Sequence, residues 1–114
     1  DGLQTRSFLF IDEGIEATRR MMDSDCIGPV NIGTEEMVTI NQLVDTAARV
    51  AGKKIDKKHI DGPLGVRGRN SNNDLIRKEL GWDYSMTLEE GIRKTYNWIM
   101  GEIAKEIVEK DEVE

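Results

Sequence analysis

Two arginines are the residues in this chain best suited to chemistry with an anion. Arg6 follows Gln4 and Thr5 at the start of an apolar run, and Arg69 closes the Gly-rich stretch Asp61-Gly-Pro-Leu-Gly-Val-Arg-Gly-Arg69, beside Asn70 and Ser71. A guanidinium presents a planar fork of N–H donors that fits phosphate oxygens bidentately. Flanking glycine lets backbone approach an anion closely, and a helix start just beyond favours negative charge. Converging from separate loops, Arg6 and Arg69 would clamp a diphosphate. Spacing alone leaves the plainer alternative open, that they are solvated arginines or surface ion-pair partners. Gln4 and Thr5 say nothing without their surroundings.

Other chemistry is poorly provided for. No Gly-x-Gly-x-x-Gly run follows a strand, and the stretch from Gly62 to Gly68 lacks Walker spacing and a following Lys-Ser/Thr. His59 is the sole histidine and Cys26 the sole cysteine, too few for a metal site and far apart in sequence. Tyr84 and Tyr96 are not followed by lysine four residues later, so a Tyr-x-x-x-Lys acid/base pair is missing. We therefore expect no catalytic, cofactor-binding or metal-ligating residue. Asp12 reads as a helix cap, and Trp82 and Trp98 as core aromatics.

Composition narrows the classes further. The 114 residues are 38% hydrophobic and 33% charged, as in an ordinary globular chain. A formal net charge of −6 argues against a nucleic-acid backbone as partner. No apolar stretch is long enough to span a bilayer, and the first residues lack the basic and apolar regions of a signal peptide. The single cysteine favours a reducing compartment, so a cytoplasmic location is expected. The opening residues lack Met and read as an excised stretch of a longer protein. Much of the acid lies at the far end, in Glu102, Glu106, Glu109, Asp111, Glu112 and Glu114.

The elements that must position the arginines alternate along the chain. A strand is predicted over 6–10, then a helix capped by Asp12 and running to about Asp23, with Ile15, Ala17, Met21 and Met22 inward. A short strand over 30–32 ends at Gly33. Thr39 and Gln42 form a capping-box pair ahead of a helix whose apolar face is Ile40, Leu43, Val44, Ala47, Ala48 and Ala51, stopped by Gly52. A third strand is predicted over 54–60, followed by the loop 61–69. Ser71 or Asn72 should cap a short helix ending at Gly81. Thr87 and Glu90 cap a last helix striped by Leu88, Ile92, Tyr96, Ile99, Ile103 and Ile107. The fold class is α/β, with three or so short strands and about four helices. Three strands make a poor sheet alone and should pair with a further segment or another chain.

Several runs carry a family resemblance. Arg6-Ser-Phe-Leu-Phe-Ile-Asp12, Val30-Asn-Ile-Gly33, and Arg69 with Asp74 and Lys78-Glu-Leu-Gly-Trp82 resemble, in order and spacing, successive motifs of the extended short-chain dehydrogenase/reductases, the NAD-dependent nucleotide-sugar epimerases and dehydratases. Asp1-Gly-Leu-Gln-Thr-Arg-Ser-Phe8 and Gly62-Pro-Leu-Gly-Val-Arg-Gly-Arg-Asn-Ser71 are similar to a hexose-epimerising branch that takes a GDP-sugar. The resemblance implies that residues 1–100 are the C-terminal substrate-binding portion of such an enzyme and 101–114 an acidic helical tail. It implies that NAD and the catalytic Tyr and Lys belong to a Rossmann domain outside these residues, leaving this portion inactive alone and prone to self-association or dimerisation. It also assigns Gln4, Thr5, Arg6 and Arg69 to the nucleotide sugar. A decarboxylase or 4,6-dehydratase of the same family, or a non-enzymatic binding domain, is the alternative.

Overall fold

The computed structural model describes residues 1–63 and 65–111; Leu64 in the Gly-rich loop and the tail's last acids, Glu112 and Glu114, lie outside the described residues. Four helices and one three-stranded sheet account for the regular structure: β1 (Thr5–Arg6), α1 (Ile11–Met22), β2 (Val38–Thr39), α2 (Ile40–Ala51), β3 (Gly68–Arg69), α3 (Asp74–Leu80) and α4 (Leu88–Asp111). The expected α/β class holds.

The helices stand where their end signals put them. Thr39 Oγ1 accepts from the Gln42 N–H while the Gln42 side chain accepts from the Thr39 N–H, closing the capping box of α2. Thr87 and Glu90 make the same reciprocal pair at α4. Gly52 and Gly81 end α2 and α3 with φ of 64° and 61°, the left-handed turn that glycine adopts without a Cβ penalty. Two caps differ from expectation. Helix α1 begins at Ile11 after an extended Phe10, so Asp12 sits within the first turn, where its charge meets the helix dipole. Helix α3 is preceded by Asn73, which makes no side-chain cap bond.

The strands differ more. Pairing is limited to two residues each, and β1 is central. It runs antiparallel to β2, with Thr5 opposite Thr39, and parallel to β3, with Arg6 opposite Arg69. The runs expected as strands over 7–10, 30–32 and 54–60 carry no ladder among the described residues. Hydrophobic content marks 7–10 and 30–32 as buried-type segments, yet a ladder needs a neighbour with free backbone groups, and the neighbours that exist lie at 38–39 and 68–69. Residues 52–63 are exposed throughout, so no core face selects an alternation there.

Burial is sparse. Ala17, Ile76 and Trp82 form the buried apolar cluster, with Leu9, Val30, Ile32, Leu80 and Tyr84 packed around it. The radius of gyration is 18.0 Å, against ~13 Å for a compact chain of this length. Helix α1 turns Glu13 and Ala17 inward, while Ile15 and Met22, expected on that face, are exposed. Trp98, expected in the core, is 66% exposed. Polar bonds secure α1 beside the packing of Ala17. Buried Glu13 accepts through Oε1 from the Ser85 N–H at 2.6 Å, the Ser85 hydroxyl at 2.7 Å and the Met86 N–H at 3.1 Å. This fastens α1 to the turn before α4.

With so few apolar residues fully buried, each one matters. Ile76→Ala should lower stability by ~2–5 kcal/mol, the cost of a buried cavity, as a drop in the urea midpoint. A change within ~0.5 kcal/mol would show that Ile76 is not a core residue.

Candidate functional site

The pairing of β1 with β3 brings the two arginines together. Arg6 and Arg69 are direct partners in the parallel register, and both line one open cleft of about 470 Å³. The remaining walls are Ser7 and Leu9 after β1, Asn31 to Thr34, and Asn70 and Ser71 after β3. Among the described residues no carboxylate lines this cleft. It is a basic recess in a chain of net charge −6.

Local structure keeps the arginines available. Arg6 Nη1 donates to the Thr5 carbonyl at 2.6 Å, a neutral acceptor. The described residues show no ion pair for Arg6 or Arg69, whereas Arg67 is held by both Asp1 carboxylate oxygens at 3.1 Å. Gly68 allows the strands to approach, since a Cβ there would lie 2.8 Å from Thr5 Oγ1. The Gly-rich loop passes Arg6 closely, with an added Cβ on Gly65 falling 3.9 Å from Arg6 Nη2.

The acids next to the cleft are engaged elsewhere. Glu35 accepts from Arg77 Nη1 and Nη2 at 3.1 and 2.8 Å and from the Asn73 N–H at 3.2 Å. Arg77 foremost, then the Asn73 N–H, holds the Glu35 carboxyl below its ordinary pKa; Glu35 and then Asp83 raise that of Arg77. Glu36 accepts from the Leu88 N–H at 2.9 Å, at the start of α4.

Of the four residues assigned to the nucleotide sugar from sequence, the cleft contains Arg6 and Arg69. Gln4 and Thr5 do not line it. The Gln4 carbonyl accepts from the Ile40 N–H, and its Oε1 is buried without a partner among the described residues. The Thr5 N–H donates to the Arg67 carbonyl. Ser7, Asn31 and Thr34 were not foreseen as cleft residues; the polar positions flanking Ile32 and Gly33 were the available signal. His59 is a surface residue, its Nε2 3.0 Å from Asn41 Oδ1, and Cys26 is a free thiol in the loop after α1. The Gly-rich loop enters a two-residue strand and not the N-terminus of a helix, the setting of a phosphate-binding turn. No described helix is long and apolar enough to cross a membrane.

The fold of the described residues, three short strands and four helices, matches a C-terminal portion of NAD-dependent epimerases and dehydratases, the extended short-chain dehydrogenase/reductases. UDP-glucose 4-epimerase from Thermotoga maritima superposes with a TM-score of 0.85 at 25% identity, covering 90% of this chain and 34% of that one. UDP-glucuronic acid 4-epimerase from Bacillus cereus, solved with its sugar nucleotide and NAD, gives 0.80 at 25% identity over 89% and 33%. In sequence the chain is 53% identical to GDP-mannose 3,5-epimerase of Arabidopsis thaliana across 93% of its own length, and 30% identical to UDP-glucuronic acid decarboxylase 5 of the same plant across 80%. It spans 28% and 27% of those two relatives. No family model matches the chain.

The Glu35 pair sets a pH dependence. Its folded pKa is below the unfolded value, so the stabilisation is complete above the ordinary carboxylate pKa and is lost as pH falls through the folded one. The urea midpoint should fall as the pH drops below the ordinary glutamate range, and Glu35→Gln should flatten part of that fall. An unchanged acid profile in the variant would remove Glu35 from this role.

Proposed function

We propose that this chain is the substrate-gripping portion of an NAD-dependent nucleotide-sugar epimerase, with Arg6 and Arg69 clamping the diphosphate of GDP-mannose. The observation that carries this reading is the in-register pairing of the two arginines. Two like charges brought to one cleft repel, and no acid among the described residues lines the cleft to offset them. A diphosphate supplies the missing charge and accepts from both guanidinium forks. Ser7, Asn31, Asn70 and Ser71 add neutral donors and acceptors around it.

GDP-mannose is preferred over other nucleotide sugars because of the 53% identity to GDP-mannose 3,5-epimerase, against 30% for a UDP-glucuronic acid decarboxylase. In this reading Gln4 and Thr5 contact the ligand only after local rearrangement, and the nicotinamide cofactor binds to a Rossmann unit that these residues do not contain. The portion alone is inactive and its setting is cytoplasmic. Its role in the whole enzyme is to fix the sugar's position by holding its diphosphate.

Arg69→Ala should weaken GDP-mannose binding about tenfold to a hundredfold, the scale of hydrogen bonds to a charged group, and Arg6→Ala comparably, by calorimetry. Unaltered affinity in both variants would end the clamp reading. The 114 residues alone should not epimerise GDP-mannose with added NAD; turnover would place catalytic groups among them. The apolar face formed by Ile11, Ile15 and Met22 is exposed, so self-association should appear in light scattering as concentration rises. A strict monomer throughout would show that this face needs no cover.

A further inference from the structure

We infer that Asn73 is a positioning residue that holds the cleft's two outer walls together and so sets how Arg69 meets an anion. The inference rests on the clamp reading. Asn73 is fully buried yet polar, and it makes no cap bond to its own helix. Its amide is spent across the cleft. Nδ2 donates to the Gly33 carbonyl at 2.8 Å, and Oδ1 accepts from the Ser71 hydroxyl at 2.6 Å. Its main chain is tied as well, the N–H to Glu35 Oε1 at 3.2 Å and the carbonyl to the Arg77 N–H at 3.1 Å. One side chain thus joins the 31–34 wall to the 69–71 wall.

The joint is tight. A Cβ on Gly33 would fall 2.6 Å from Ser71 Cβ, closer than side chains pack, so the walls meet only because Gly33 has none. Arg69 is framed between two fixed points. On one side its strand pairs with β1, and on the other Ser71, two residues on, is held by Asn73 and abuts Gly33. Removing the amide leaves the Gly33 carbonyl without this donor and frees Ser71 to move away, and Arg69 moves with it. A residue that works this way acts on the ligand through Arg69 and not by touching it, because Asn73 does not line the cleft.

A double-mutant cycle on the full chain tests this, with GDP as the probe in calorimetry. Asn73→Ala should weaken GDP on the order of fivefold in the natural background, and have almost no effect once Arg69→Ala is present, as for residues that act as one unit. Ile76→Val, which loosens the core without touching the latch, should leave GDP affinity unchanged. Equal losses from Asn73→Ala in both backgrounds, or a matching loss from Ile76→Val, would overturn the inference. Should Asn73→Ala fail to fold, Glu35→Gln takes its place. It removes charge from a bond to the Asn73 N–H outside the cleft, and should give a smaller loss that again disappears with Arg69→Ala. Full affinity in a folded Glu35→Gln chain would overturn the inference in that case. If Arg69→Ala alone leaves GDP binding intact, Arg69 is no part of the clamp, and the inference falls because the latch has nothing to position.

Discussion

The structure turns on a register, the placing of Arg6 and Arg69 opposite each other on adjacent strands that line one cleft. Thr5 and Arg6 pair on both edges, and the parallel side sets Arg6 against Arg69. Two-residue strands supply little ladder energy with which to impose this, so the register has other supports. The Thr5 N–H reaches the Arg67 carbonyl, the Ile40 N–H reaches the Gln4 carbonyl, and the bare Cα of Gly68 lets Thr5 sit against it.

A chain with a buried apolar cluster of three residues cannot rely on its core to fix distant segments. It uses carboxylates and amides bonded to backbone N–H and C=O groups. Glu13 gathers Ser85 and Met86, Glu36 takes the Leu88 N–H, and Asn73 with Glu35 joins the 33–35 segment to α3. These bonds are directional, so they fix geometry where apolar packing is thin. They also redistribute charge. Glu35 and Glu36, next in sequence to the cleft residue Thr34, are held by Arg77 and the Leu88 N–H and do not line the cleft. By contrast the exposed pairs, such as Arg49 with Glu89 at 2.9 Å, contribute little to either outcome.

What could be read from the residues in order follows from the range of the forces involved. The start of α2 and α4 and the ends of α2 and α3 were legible because Thr39 with Gln42, Thr87 with Glu90, Gly52 and Gly81 act within one turn. The strands were not, because Val38 and Gly68 join the sheet through contacts with a segment far away in sequence. The inner face of α1 was read correctly at Ala17 and misread at Ile15 and Met22, for a related reason. Periodicity marked Ile15 and Met22, but Ser85 and Met86 lie on the other side and claim Glu13. Arg6 and Arg69 stood out by side-chain type, and the loop before the second by its glycines. Asn73 was hidden because Ser71-Asn72-Asn73 ahead of a helix looks like a run of capping residues. Asn72 does behave locally, accepting from the Asp74 N–H, while its neighbour reaches across to Gly33.

The manner in which the two arginines are held bears on what they can do. Arg67 shows the ordinary solution, a carboxylate from Asp1 that satisfies the guanidinium and cancels its charge. An anion arriving at such a pair must displace the acid, and gains only the difference between two similar interactions. Arg6 is oriented instead by the Thr5 carbonyl, which fixes the fork without neutralising it. Arg69 is placed by the backbone on either side of it. Orientation by neutral groups means that the favourable interaction with an incoming anion is offset neither by a lost ion pair nor by much reordering, which is how preorganisation raises affinity. The arrangement therefore separates two tasks that a salt bridge would merge. Backbone and amide bonds set position, and the charge stays free for a ligand.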